Sequence, residues 1–210
     1  FSFFVGTHES VSDSRLELAL LLPIPFMTML VAILYNMWLA MLVGMNTIFF
    51  TTFLTGGDFT TTILSFSSSL MGLLIVGRVD RRSDFLRGGF IMGLINALLI
   101  LSFALMNQFP FKYFQVNMQI SLFHGLINSI MVMGFIPLFE NLFGITTKFK
   151  LLELSDLNAD IFKRMLLEAP GTYNHSLLVS TMAEAACKEI HADHLLARVG
   201  AFYHDIGKID

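Results

Sequence analysis

Four runs without a charged residue constrain this chain more than any other feature. Residues 18–57, 59–77, 88–111 and 113–139 contain no Asp, Glu, Lys or Arg. A helix needs about 20 predominantly apolar residues to cross the hydrocarbon core of a bilayer. The first run is long enough for two such helices, with a turn at Tyr35-Asn36. The predicted spans are 18–34, 37–55, 60–77, 90–106 and 117–139. Core helices of a soluble protein explain five such spans in series less well. Charged residues make up 14% of the chain, against about 25% in soluble domains. Hydrophobic residues reach 55% and the mean hydropathy is +0.70. The 22 Phe and 13 Met suit lipid-facing helices, and a net charge of −3 does not suggest a nucleic-acid surface. The single cysteine, Cys187, excludes an intrachain disulfide framework and reads as a small, buried, reduced residue.

Arginine and lysine set the expected orientation. The segment Arg78 to Gly89 is read as a loop; its Arg78, Arg81, Arg82 and Arg87 place it in the cytoplasm by the positive-inside rule. The next loop, Asn107 to Gln115, has only Lys112 and is expected outside. The fifth span then returns the chain to the cytoplasm before Lys148 and Lys150, so the two assignments agree. Running backwards, Gly56-Gly57-Asp58 is outside, Tyr35-Asn36 inside and residues 6–17 outside. Phe1-Ser2-Phe3-Phe4-Val5 resembles the tail of another apolar helix, with neither the basic start nor the cleavage site of a signal peptide. Residue 1 is therefore read as a cut edge of a longer chain.

Asn46, Asn96, His124 and Asn128 are polar residues within the spans. Such residues face a bundle interior or a cavity, and interhelical hydrogen bonding is favoured over a ligand pocket or proton path. Gly89 and Gly93 form a small-xxx-small pair that marks close helix contact. Pro23, Pro25 and Pro137 are expected to kink or end helices.

The character changes after Phe143-Gly144, where charges return and apolar residues take helical spacing. Leu151, Leu152 and Leu154 begin a short connector. Ser155-Asp156-Leu157-Asn158 supplies capping residues for a helix at 159–168, ended by Pro170-Gly171. Thr172 is the expected N-cap of a helix at 173–190. Its row Leu178, Met182, Ala186 and Ile190, flanked by Val179, Ala183 and Cys187, predicts packing on other soluble helices. A break at His191-Ala192-Asp193, with Asp193 as N-cap, precedes a last helix at 194–206 that buries Leu195, Leu196, Val199 and Phe202.

His175 falls in the first turn of one of these helices and His204-Asp205 in the last turn of the next. Antiparallel neighbours bring the start of one helix close to the end of the other, so the three side chains can converge. Imidazole and carboxylate together are moderately hard ligands, suited to Mn, Fe, Mg or Zn. A divalent metal there supplies a nucleophile from water at neutral pH and neutralises phosphate charge. Asp205 can bridge two metals, and Lys208, past the flexible Gly207, can reach a phosphate oxygen. Spacing alone leaves the opposing readings open: a His-Asp surface pair, a helix-start histidine and a solvated lysine at a helix C-terminus. His191 and His194 flank a turn and are weak ligand candidates; His8 and His124 are weaker.

Three segments carry a resemblance: Leu151–Ser155; Glu168-Ala169-Pro170-Gly171-Thr172-Tyr173-Asn174-His175-Ser176-Leu177; and Ala201-Phe202-Tyr203-His204-Asp205-Ile206-Gly207-Lys208. They resemble the bacterial membrane-anchored HD-domain phosphodiesterases, seven-transmembrane receptors with an intracellular HD hydrolase. The stretch from Gly134 to Thr147 is similar to that family's last span and exit. The resemblance implies an all-α protein: a polytopic transmembrane bundle at 1–145, with about five spans and the tail of another, a connector at 146–157, and the N-terminal part of a cytoplasmic HD domain at 158–210. It implies a multi-pass cell-membrane enzyme that hydrolyses cyclic di-AMP to a linear dinucleotide with two divalent ions, Mn or Fe before Mg or Zn. His175, His204 and Asp205 take the metal-ligand positions, with Asp205 and Lys208 as the catalytic pair. The implied partners are the cyclic dinucleotide, the lipid bilayer and an unidentified signal ligand; no nucleic acid is expected, and a homodimer is open.

The family's ectodomain, early spans and later HD helices have no counterpart in these 210 residues. Three ligands cannot hold two metals, and the apolar faces of the last two helices lack part of their core. The expectation is that this chain alone is inactive and the full protein is an enzyme. The alternative is a non-catalytic membrane receptor whose degenerate HD module binds nucleotide or a partner. A transporter is disfavoured because no charge lies inside any span.

Overall fold

The computed structural model describes residues 22–79 and 81–209. The expectations for Phe1–Val5, residues 6–17, His8 and the first residues of the 18–34 span lie outside the described residues. The described chain is helical, with no strand among the described residues, and divides into two compact units at Ile145/Thr146.

The first unit holds α1 (Ile24–Leu34), α2 (Met37–Leu54), α3 (Phe59–Val76), α4 (Arg82–Met106) and α5 (Phe111–Phe143). Helices α2 to α5 are long and apolar enough to cross a membrane. The Tyr35-Asn36 turn forms as expected, and the Asn36 side chain caps α2 by accepting from the Leu39 N–H at 2.8 Å. Asp58 caps α3 in the same way through Thr61.

Three boundaries differ from the sequence reading. Helix α1 starts at Ile24, with Pro23 as its N-cap and Pro25 in its first turn, so the prolines mark a helix start inside the expected 18–34 span. Helix α4 begins at Arg82, so most of the expected Arg78–Gly89 loop is helix. Asp84 starts it by accepting the Arg81 N–H at 2.9 Å. Gly88 and Gly89 do not break it, because both lie in close helix contacts. Helix α5 runs through Pro137, which neither ends it nor prevents 33 helical residues.

The inner faces of this unit combine large apolar side chains, among them Leu64, Phe85, Met92 and Ile100, with small and polar ones. A Cβ on Gly125 would collide with the Gly89 carbonyl, and one on Gly93 would sit 2.8 Å from Leu122 Cα. The small-xxx-small pair therefore does bring α4 and α5 together. Asn96 donates to Ser68 Oγ at 2.7 Å, joining α4 to α3. Asn128 on α5 accepts the Phe26 N–H at 3.1 Å, satisfying a donor that the first turn of α1 leaves without an intrahelical partner. His124 Nε2 lies 3.3 Å from the Leu22 carbonyl. Asn46 departs from expectation: it is exposed and bonds the Leu42 carbonyl of its own helix. Trp38, Phe49 and Phe53 point outward, where lipid rather than water solvates them.

The second unit holds α6 (Lys148–Leu154), α7 (Asp160–Glu168), α8 (Pro170–Glu189), α9 (His194–Tyr203) and a 3-10 turn (Ile206–Ile209). The connector leucines fall on α6, capped by Thr147. Helix α7 has no side-chain cap; Asp156 instead accepts the Asn158 N–H at 2.9 Å in a turn of its own. Helix α8 starts at Pro170, not at 173, because proline at the first helical position lacks a donor that would go unused there. Thr172 is therefore inside the helix. Asp193 caps α9 as expected, accepting the Leu196 N–H at 3.0 Å.

Phe162, Met165 and Phe202 form the core, with Tyr173, Leu177 and Tyr203 against it. Phe162 meets both Phe202 and Tyr203 edge-on, at 5.7 and 5.0 Å between centroids. The expected apolar row of α8 is on the wrong face: Leu178, Met182 and Ile190 are exposed, whereas Ser176 and Ser180 are buried. Leu196 is exposed as well. The short α7 and α9 cover only one side of α8, and the side they reach is fixed by Tyr173 and Leu177. Cys187 is half-buried rather than fully buried.

Candidate metal centre

Helix α8 begins three residues earlier than expected, so His175 sits in its second turn. Helix α9 ends at Tyr203, with His204 as its C-cap and Asp205 in the turn that leads to the 3-10 segment. Glu184 aligns the two helices. Its carboxylate accepts from Lys188 at 2.8 Å on its own helix and from Arg198 at 3.2 Å on α9, with His194 3.7 Å away. Arg198 in turn lies over the Phe202 ring, 5.4 Å from its centroid. The hydrogen bond from Lys188, then the charges of Arg198, Lys188 and His194, outweigh partial burial and hold the Glu184 carboxyl below its usual value.

This register brings His175, His204 and Asp205 together. One ligand atom from each lies within 4.8 Å of the other two, the one such cluster among the described residues. The two imidazole rings are 5.5 Å apart between centroids and inclined by 57°. His204 Nδ1 is 2.7 Å from the Ala201 carbonyl. A carbonyl only accepts, so Nδ1 carries a proton, and Nε2 is the nitrogen that a metal would take. Nε2 lies 3.4 Å from Asp205 Oδ2, on the shared face. Metal-bound histidines are oriented by such backbone bonds at the second nitrogen.

Lys208 is the second partner of Asp205. Its ammonium donates to Oδ2 at 2.7 Å, and its backbone N–H to the Asp205 carbonyl at 3.1 Å. This hydrogen bond, followed by the charges of His204, Lys208 and His175, holds the Asp205 carboxyl below the usual carboxylate range despite partial burial. The carboxylate is ionised at neutral pH, as a ligand must be.

The donor set fits a divalent ion: two imidazole nitrogens and one charged carboxylate, converging on an exposed face with room for further ligands. His191 adopts a left-handed conformation in the turn before α9 and His194 faces Glu184, so neither joins the cluster. His124 is buried in the first unit. The sequence reading missed the Glu184–Arg198 bridge and the Ala201 carbonyl. Glu184 and Lys188 at i, i+4 were a visible signal for the first; nothing local marks the second.

Comparisons with known proteins place these features. The model of the "7TM receptor with intracellular HD hydrolase" family matches residues 1–147, and that of the HD domain matches residues 172–210, including all three clustered side chains. The chain is 38% identical over 143 residues to the cyclic-di-AMP phosphodiesterase PgpH of Bacillus subtilis (strain 168), covering 67% of this chain and 20% of that protein. It is 37% identical over 199 residues to the protein of the same name in Listeria monocytogenes, covering 91% of this chain and 27% of that one. An uncharacterized protein of Synechocystis is 44% identical over 85 residues, 40% of this chain and 10% of its own. The chain thus spans about a quarter or less of the curated relatives it matches. No solved structure matches it.

Proposed function

The chain belongs to the family of seven-transmembrane receptors with an intracellular HD hydrolase, and from that premise we propose that it is part of a membrane-tethered, metal-dependent phosphodiesterase that opens a cyclic dinucleotide, cyclic di-AMP first. The observation that carries this reading is the convergence of His175, His204 and Asp205 within 4.8 Å. The substrate class follows the names of two of the three relatives, each called cyclic-di-AMP phosphodiesterase.

In this reading His175, His204 and Asp205 would hold divalent metal, two ions in the full-length enzyme, with Mn or Fe preferred to Mg or Zn. A bound divalent ion supplies charge neutralisation at the phosphate and activation of water at neutral pH. The chain's own residues prepare the site. The Ala201 carbonyl orients the His204 ring, and Lys208 holds the Asp205 carboxylate in place. The Lys208 side chain is 61% exposed, so its ammonium is also available to a phosphate oxygen. Three donors do not complete two coordination spheres, so the 210-residue chain by itself is proposed to be inactive.

The orientation proposal places the second unit in the cytoplasm. The described helices alternate in direction if each of α2 to α5 crosses, so the arginine-bearing turn at 77–81 and the end of α5 lie on one side. Four arginines against two aspartates between residues 78 and 87 make that side the positive one. The membrane bundle is proposed to receive a signal, and a homodimer is compatible with it.

The test is hydrolysis of cyclic di-AMP by the full-length protein and its Asp205→Ala variant, alongside manganese binding. Loss of both in the variant, with membrane insertion intact, is the expected result. Undiminished hydrolysis by Asp205→Ala removes the metal role. Binding of the dinucleotide without turnover by the unaltered full-length protein would favour a non-catalytic receptor.

A further inference from the structure

Between α3 and α4, at the arginine-bearing end of the first unit, lies a cavity of about 240 Å³. Leu74, Ile75 and Ile91 contribute apolar wall, and Arg78, Arg87 and Asp84 stand at its polar end. Leu74 and Ile91 are half exposed on the outer surface, so the slot opens toward the hydrocarbon side as well as toward the membrane end. Gly88 sets its floor: a Cβ there would press on the Ile75 side chain at 2.7 Å.

The charges at the rim are unequal. Asp84 has a structural task, accepting the Arg81 N–H at 2.9 Å to start α4. Arg87 lies 4.0 Å from that carboxylate with 82% of its side chain exposed, a weak surface pair. Arg78 is exposed too. Two guanidinium groups therefore remain to engage an anion, and their planar forks match phosphate.

The geometry points to an anionic phospholipid as the occupant, its phosphate on Arg78 and Arg87 and its first acyl segment between Leu74, Ile75 and Ile91. The apolar walls decide against a free soluble anion. Inorganic phosphate is small enough for the cavity but would meet Leu74, Ile75 and Ile91 with no hydrogen-bond partner on that side. A lipid already in the bilayer needs only a shallow slot, since the rest of its chain stays in hydrocarbon. A basic pocket between transmembrane helices at the membrane surface is the arrangement that holds lipid head groups.

The experiment is native mass spectrometry of the purified full-length protein after exchange into micelles containing phosphatidylglycerol or phosphatidylcholine. Phosphatidylglycerol is expected to be retained in preference to phosphatidylcholine. Removing both arginine charges in the R78Q/R87Q variant should weaken that retention by roughly 30-fold, the product of two arginine contributions near a membrane surface. Leu74→Trp, which fills the slot and leaves the charges, should lower it independently; unchanged circular dichroism certifies both variants. Equal retention of the two lipids, or undiminished retention by R78Q/R87Q, overturns the proposal. Displacement of the lipid by millimolar inorganic phosphate overturns the lipid assignment in favour of a soluble phosphate.

Discussion

The two units differ in what they add to an apolar interior and in what they turn outward. In the second, Phe162, Met165 and Phe202 are buried and charges line the surface, the arrangement that water enforces. In the first, Asn96, Ser121, Asn128 and Ser129 are buried beside Leu64, Phe85, Met92 and Ile100, while Trp38, Phe49 and Phe53 face out. Lipid solvates Phe as well as a protein core does, so burying it gains little there. What holds such helices together is close backbone approach and polar contact. The glycines of α4 and α5 provide the first, and Asn96 with Ser68 the second. The lesson is that apolar exposure has to be judged against its solvent. Exposed Phe53 is ordinary, whereas exposed Leu178, Met182 and Ile190 on a water-type helix mark an uncovered face.

The largest expected effect is local to the second unit. Asp205→Ala should weaken manganese binding in the full-length protein by more than the roughly 10–100-fold that a lost supporting contact costs, measured by titration calorimetry. The helical signal should not move. If affinity is retained, the cluster is only a surface arrangement.

Phe162→Ala should destabilise the second unit by about 3–5 kcal/mol. Hydrogen exchange resolves the two regions: amides of α7 and α9 should lose protection while those of α4 and α5 keep theirs. Loss in both regions would show one cooperative block and break the comparison.

Gly125→Val reverses the experiment. The added carbons have no space against Gly89, at a cost of about 1–3 kcal/mol. Thermal melting in detergent should fall, with manganese binding by the second unit unchanged. Asn96→Ala should be milder, near 0.6 kcal/mol, the average for a hydrogen bond between transmembrane helices. A cost of several kcal/mol from Asn96→Ala would mean that polar contacts, rather than close approach, dominate the bundle.

The smallest effect has a definite pH sign. The folded Glu184 carboxyl is held below its ordinary value of 4.5, so its bridges contribute in full above that pH and are lost as pH falls through the folded value. The stability gap between the protein and its Glu184→Gln variant should be at most about 1 kcal/mol at pH 7 and should close below pH 4.5. A gap that widens on acidification would contradict the assigned role.

The sequence by itself marked the four long apolar helices α2 to α5, because charge-free length is a local property that any membrane must respect. It also determined the Asp193 cap, which acts over three residues, and the chemistry of the His204-Asp205 pair. Only the tertiary structure decided that Arg82–Gly89 is helix, since the close contacts of Gly88 with Ile75 and of Gly89 with Gly125 are not visible locally. It decided which face of α8 is covered, because that depends on where α7 and α9 reach. It gave Lys208 to Asp205 and the Ala201 carbonyl to His204. It also let Asn128 serve a helix start 102 residues away. Periodicity shows that a face is apolar or a side chain polar; its partner is settled by chain packing, which brings distant residues within hydrogen-bond reach.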